Sequence, residues 1–425
     1  MPRKTCIPTI DYEAHPAFVG LGAKPRAADA NIDGLIDDID EAYNHILHSP
    51  GRSPAERQRD IEREILPRFD ELHRRVSDYG GVRPQFASYI DRAMTIAREF
   101  LYQDVAARGN ELRNSPTAEL SGENLTSLAK FREQGFVSFA CGRRLAGRIW
   151  AKTKLERAIV RSRSARASNM PACVLSLHPQ SPGYLALTQA LTECGLLDIA
   201  SAYMRKPMEV FYYALEYNQP GQNWYRDCYA DVGMPTSRTA YMHFDADRDV
   251  LKAMLYLNDV GPENGPFSFI PGSHQWARSP VVCAIHKGFD QAQWQVFRWP
   301  DEKQYYYRPR FKLREQRPDT LALPPRLRGS THFGDDIVDG SPLSEELLRQ
   351  EHVFTAPAGT ITLFDGSQGV HRGGLIRNGA RWVIQIGLRV EQPQTSGPHS
   401  MLRKRLSYMK HRLKTIVRFA IGREA

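Results

Sequence analysis

His243 and Asp245 stand two residues apart in "TAYMHFDADRD" (239–249), and Asp247 and Asp249 continue the same parity. The stretch opens like a β-strand, and side chains two apart on a strand project from one face. An imidazole and a carboxylate aimed together can reach one metal ion. A third donor is offered by His371 in "GTITLFDGSQGVHRGG", just after a strong strand pattern. Two histidines and one carboxylate form the facial donor set of mononuclear non-haem iron centres, which leaves coordination positions open. Beyond it, Arg381 begins "RWVIQIGLRV". A fixed, permanently charged guanidinium near such a metal suits a two-point grip on a dicarboxylate.

Two other readings of these stretches fail on spacing. Asp245, Asp247 and Asp249 imitate the first ligands of a calcium loop, but Val250 stands where that loop needs Gly and Tyr256 where it needs Glu. In "DGSQG", Ser367 follows Gly366 directly, so the G-x-S-x-G elbow of serine hydrolases is not made.

The elements that must position these residues change character along the chain. Residues 1 to about 30 read as irregular. From Asn31 to about Arg108 the pattern is helical: "NIDGLIDDIDEAYNHIL" and "AERQRDIEREILPRFDELHRRV" carry apolar residues at three-to-four spacing, and "HSPGRSP" breaks two helices apart. The polar stretch "RNSPTAELSGEN" reads as a linker. From Val210 onward short aromatic and β-branched runs follow one another: "VFYYALEY", "TAYMHFD", "LKAMLYLND", "FSFIPG", "HVFTAP", "GTITLFD" and "RWVIQIGLRV". Many short strands without helices between them point to a sandwich or jelly-roll barrel. Residues 275 to 350, richer in Arg, Pro and Trp, read as a long insertion with a little helix at "SEELLRQEH".

In the order His243-x-Asp245, "YLNDVGPENGPFSFIPGSH" (256–274), His371-x9-Arg381, the sequence resembles the phytanoyl-CoA dioxygenase family. "FREQGFVSF" also looks like the opening of that family's domain. The resemblance implies a mainly β protein with helical additions, built on a double-stranded β-helix over 126–395. A helical region 1–125 precedes it and a tail 396–425 follows. It implies that His243, Asp245 and His371 bind Fe(II), and that Arg381 holds 2-oxoglutarate, the co-substrate consumed with O2. The expected reaction is hydroxylation of a C–H bond in a small molecule (a sugar, lipid or natural-product intermediate), with 2-oxoglutarate converted to succinate and CO2. The related halogenases replace the carboxylate ligand by a small residue; Asp245 argues for hydroxylation, with desaturation or another C–H oxidation as the alternative outcome of the same chemistry. On "LKAMLYLND", Lys252, Met254 and Tyr256 share one parity and are candidates to line the co-substrate pocket. His274 in "PGSH" reads as a turn residue rather than a ligand, and the aromatic runs "QAQWQVFRWP" and "EKQYYYRPRF" as candidates to cover the site.

Composition bounds the rest. The chain has 425 residues, 41% hydrophobic, enough for a substantial core, and no run of roughly 18 apolar residues that would span a membrane. The N-terminus lacks the apolar run of a secretory signal, and the six cysteines are scattered without metal spacing; together these predict a cytoplasmic protein with reduced thiols. The net charge of +9 is concentrated in 143–166 and in the tail, where Leu406, Met409, Leu413, Ile416 and Ala420 mark a basic amphipathic helix. Such a helix either packs on the domain or lies on an anionic membrane surface. The charge suits an anionic small-molecule substrate; nucleic acid ranks lower because no nucleic-acid motif accompanies it. The competing class is a binding protein that keeps the barrel without the chemistry.

Overall fold

The computed structural model describes residues 9–21, 29–49, 52–77, 82–109, 120, 122–166, 172–221, 228–245, 250–296 and 310–391. The tail helix expected at 401–425 lies outside them, as do Asp247 and Asp249.

The helical pattern of the first hundred residues becomes α1 (Ala30–His48), α2 (Pro54–Asp60), a π-helical turn (Ile61–Ile65), α3 (Leu66–Ser77) and α4 (Pro84–Gly109). Asp29 caps α1 by accepting from the Asn31 and Ile32 N–H groups, and Ser53 with Glu56 closes a capping box on α2. The apolar stripes converge on one core that includes Ile36, Ile39, Phe69 and Met94. A helix from far downstream completes it: α10 (Pro280–Val296) contributes Val281, Ile285 and Phe289 to the same cluster. The helices meet backbone to side chain. A Cβ on Gly288 would stand 2.2 Å from the Ala93 carbonyl oxygen, and the Tyr89 hydroxyl donates to the Phe289 carbonyl at 2.8 Å. The stretch expected as a little-structured insertion therefore begins with a seventeen-residue helix. Its apolar face is complemented by residues almost two hundred positions earlier, which no local signal reveals.

The second body carries α5 (Gly122–Gln134), β1 (Phe136–Ala140), α6 (Gly142–Lys152), α7 (Lys154–Arg166), β2 (Ala172–Ser176), α8 (Pro182–Glu193), α9 (Leu196–Met204) and β3 (Met208–Asn218). Then come β4 (Val250–Tyr256), β5 (Ser268–Phe269), the short α11 (Arg317–Leu321), α12 (Pro342–Gln350), β6 (His352–Val353), β7 (Thr360–Phe364), β8 (His371–Arg372) and β9 (Arg381–Val390). Six strands form one antiparallel sheet in the order β1-β7-β4-β9-β3-β2, and three short ones form a second, β6-β5-β8. The basic block 143–166 is α6 and α7, with Arg143, Arg144, Arg148, Lys152, Lys154 and Arg161 exposed. Among the described residues helices occupy more of the chain than strands do, so the helical additions outweigh the β-core they surround.

Alternation sorts the two faces of the large sheet. Leu251, Ala253 and Leu255 of β4, with Ile361, Leu363, Ile384 and Ile386, pack against Phe131, Ile149, Leu187 and Ile199 of the helices. The opposite parity of β4 faces the small sheet: Met254 lies against Phe136, Phe267, Phe269, Phe354 and Phe364. Lys252 and Arg381 emerge from this second face, and His371 stands on β8 of the small sheet.

One local expectation is corrected. "TAYMHFD" is not a strand: Thr239–Tyr241 form a turn, and His243 makes only an isolated bridge with His371. The parity argument survives because the bridge holds the backbone extended where it matters, between His243 and Asp245.

Candidate metal centre

The bridge is the device that builds the site. The His243 N–H donates to the His371 carbonyl and the His371 N–H returns the bond to His243, both at 3.0 Å; the Asp245 N–H donates to the Gly366 carbonyl at 2.8 Å. Three backbone bonds thus lock two segments more than a hundred residues apart in sequence. His243, Asp245 and His371 each present one donor atom, and these atoms lie within 4.8 Å of one another. The His243 Nε2 is 3.7 Å from Asp245 Oδ1, and the His371 Nε2 is 3.6 Å from Asp245 Oδ2. Exposure is 7%, 9% and 6% for His243, Asp245 and His371, so water contributes little to solvating them.

The imidazoles are oriented for a metal. His243 Nδ1 lies 2.9 Å from the Tyr241 carbonyl and His371 Nδ1 3.1 Å from the Gly369 carbonyl. A carbonyl accepts only, so each Nδ1 carries the proton and each Nε2 keeps its lone pair for the cluster. Burial pushes the His371 pKa down to about 3 and lowers that of His243, so both rings are neutral ligands at neutral pH. Burial by itself would raise the Asp245 pKa. The Lys252 ammonium, 2.8 Å from Oδ1, offsets this and holds the carboxyl well below its usual range. Asp245 Oδ2 is buried with no hydrogen-bond partner. A buried, unpaired carboxylate oxygen beside an imidazole lone pair, with a second such lone pair close by, is what a divalent cation would satisfy.

Room for that cation depends on a glycine. A Cβ on Gly366 would stand 2.2 Å from Asp245 Oδ2 and 3.1 Å from the His371 ring. The "DGSQG" stretch is therefore a tight turn. Asp365 accepts from the Ser367 hydroxyl at 2.9 Å, the Gln368 N–H at 3.0 Å and the Tyr203 hydroxyl at 2.9 Å, which brings the chain back to present His371.

The other sequence candidates fall around this cluster. Arg381, the first residue of β9, is 3% exposed. It donates to the Gly265 carbonyl and stands 3.9 Å from Glu216 on β3, and its Nε is buried without a partner. Of the β4 trio, Lys252 reaches Asp245 directly, Met254 is wedged in the phenylalanine cluster, and Tyr256 has its hydroxyl committed to backbone. That hydroxyl donates to the Phe354 carbonyl at 3.1 Å and accepts from the Phe267 N–H at 3.0 Å. His274 lies away from the cluster, its Nε2 donating to the Arg132 carbonyl at 2.9 Å. Most of the aromatic runs expected to cover the site lie outside the described residues; Gln291–Val296 continue α10.

Two residues escaped the sequence reading. His332 stacks on His243 with ring centroids 4.4 Å apart and planes 7° from parallel. Tyr241 has a left-handed backbone, φ 65°, with its ring 4.7 Å from His243. A non-glycine residue rarely adopts that conformation; here Asp335 Oδ1 holds it by accepting the Tyr241 N–H at 2.7 Å. A signal for His332 was present: "THFGDD" (331–336) repeats the His-Phe pair and following acids of "MHFDAD" (242–247).

Residues 197–317 match the model of a family described as phytanoyl-CoA dioxygenase. The match takes in His243 and Asp245, and for that stretch the family resemblance carried by the motifs holds. Among solved structures, a carbocyclase from nogalamycin biosynthesis, SnoK, described as non-haem and α-ketoglutarate-dependent, is similar at 15% identity and a TM-score of 0.34, covering 68% of this chain and 92% of its own. AviO1 from Streptomyces viridochromogenes Tue57 is 16% identical with a TM-score of 0.33, covering 66% and 100%. EctD from S. alaskensis, with 2-oxoglutarate and 5-hydroxyectoine, is 16% identical with a TM-score of 0.34, covering 66% and 82%. No curated protein matches the chain. No helix among the described residues is long and apolar enough to cross a membrane.

Proposed function

We propose that this protein is a non-haem Fe(II)/2-oxoglutarate-dependent dioxygenase that hydroxylates a C–H bond of a small molecule, an anionic one by the charge of the chain. We further propose that its core, residues 126–395, is a double-stranded β-helix. The observation that carries the reading is the cluster itself: two imidazoles with Nδ1 tied to backbone, and one ionised carboxylate whose two oxygens each lie near one of their Nε2 atoms, the Oδ2 beside His371 having no partner.

In this reading His243, Asp245 and His371 hold the metal on one face. When bound, iron with 2-oxoglutarate and O2 supplies the oxidising power for attack on a C–H bond. The rest is the chain's own work. Burial keeps His243 and His371 unprotonated, and Lys252 keeps Asp245 ionised until a divalent cation takes over part of that role. Arg381, whose Nε lacks a partner, grips the far carboxylate of 2-oxoglutarate. Phe267 and Phe364, whose rings lie 6.0 and 5.1 Å from that of His371, exclude water from one side. Tyr241 and His332 fix the plane of His243.

Purified protein supplied with Fe(II), ascorbate and 2-oxoglutarate is expected to form succinate, faster when a pool of small-molecule substrates is added. Asp245→Ala should abolish it. Iron binding without 2-oxoglutarate turnover across broad substrate pools would leave the barrel as a binding module and end this reading.

A further inference from the structure

Behind the segment that carries His243 and Asp245 lies a cavity of about 350 Å3. Chain parity fixes where it is. Phe244 sits between the two metal-facing residues and so points away from them. Residues 330–333 run alongside, with the Phe244 N–H donating to the Thr331 carbonyl at 3.2 Å and the Gly334 N–H to the Met242 carbonyl at 2.9 Å. His332 stacks on His243 on the metal side, while Phe244, Thr331 and Phe333 line the cavity on the other. The opposite wall comes from α10 and from Thr9, Ile10 and Tyr12. One layer of paired backbone separates this cavity from the metal centre.

The charged side chains that line it are basic. Arg278, Lys287, Arg326 and Arg328 line it, and among the described lining residues there is no Asp or Glu. Arg326 and Arg328 are already paired outside it, with Asp37 at 2.7 Å and Glu13 at 2.9 Å. Arg278 differs. Among the described residues it makes no ion pair: it donates to the Ser273 carbonyl at a long 3.4 Å, its guanidinium lies 3.8 Å over the Phe244 ring, and its Nε is buried without a partner. A half-buried guanidinium with unused donors is costly unless something pairs with it, and its planar fork matches a carboxylate or phosphate. Around it the wall is apolar, Val282 and Phe333 included. The volume lies at the lower end of the range of small-molecule sites.

We infer that this cavity is a second ligand site, separate from the metal centre, that takes a small organic anion with its carboxylate or phosphate on Arg278 and its apolar body against Val282 and Phe333. The inference stands whether or not the centre in front is an oxygenase.

The test is isothermal titration of the full-length protein with octanoate, octyl phosphate and octanol at low ionic strength, repeated with saturating metal and 2-oxoglutarate. One or both anions are expected to bind at least tenfold more tightly than octanol, and whichever binds better identifies the headgroup. Arg278→Gln should weaken that binding at least tenfold, and Ala277→Phe, which fills the cavity and leaves the charge in place, should do the same. Circular dichroism checks that each variant is folded, and Ala277→Phe decides the matter if Arg278→Gln is not. Equal binding of octanol, anion binding unchanged in the folded variants, or displacement of the anion by 2-oxoglutarate would each overturn the assignment.

Discussion

The role given to Arg381 can be tested with one substitution. Arg381→Gln keeps a planar polar group of similar reach but removes the charge and one arm of the fork. A guanidinium making two charge-assisted hydrogen bonds to a carboxylate contributes about 1.5 kcal/mol or more through each. A glutamine amide returns one neutral bond of about 1 kcal/mol. The net loss is then about 2 kcal/mol, or roughly thirtyfold in the dissociation constant of 2-oxoglutarate. The structure also sets the control. Arg381 stands 3.9 Å from Glu216, which keeps a second partner in Gln385, so the variant leaves that buried carboxylate bonded and the fold intact. Titration of the Fe(II)-loaded protein with 2-oxoglutarate under anaerobic conditions reads the effect, and Arg381→Lys, which restores a point charge without the fork, should fall between the two. A folded, metal-bound Arg381→Gln protein that binds 2-oxoglutarate within twofold of the parent would refute the assignment.

Three further outcomes follow from the geometry. Gly366→Ala places a methyl group 2.2 Å from Asp245 Oδ2; metal affinity should fall at least tenfold, by calorimetry, with the circular dichroism spectrum unchanged. Gly288→Val drives a side chain into the Ala93 carbonyl and should lower stability by roughly 2–3 kcal/mol in urea unfolding, with hydrogen-exchange protection lost together in α4 and α10. The third outcome concerns pH. With its folded-state pKa at about 3, His371 takes up a proton in the unfolded chain before it does in the fold. Its contribution is therefore complete above the unfolded value near 6.5 and is lost as pH falls toward 3. Metal-free protein should lose about 2 kcal/mol more between pH 7.5 and pH 5 than His371→Gln does, and parallel pH profiles for the two would contradict the neutral, buried histidine.

Much of the centre could be read from the linear sequence because its information is local. Two residues apart on extended backbone means one face, whatever encloses them, and this held for His243 and Asp245 even though the strand around them did not form. Period-2 runs likewise located β3, β4, β7 and β9, whose alternate residues divide between the helical layer and the phenylalanine cluster. Three-to-four spacing located α1 to α4 for the same reason: each pattern is a property of one segment. His332 and α10 show where this stops. The imidazole matters because backbone bonds from Met242 and Phe244 draw 330–334 alongside the ligand segment, and α10 matters because Gly288 admits the backbone of α4. Both depend on contacts whose partners are distant in sequence, and such pairings leave no periodic trace. The chain alone determined which donors could share an ion; only the tertiary structure decided that two neutral imidazoles and an ionised carboxylate meet in a site shielded from water, since burial and long-range hydrogen bonds set protonation and reach.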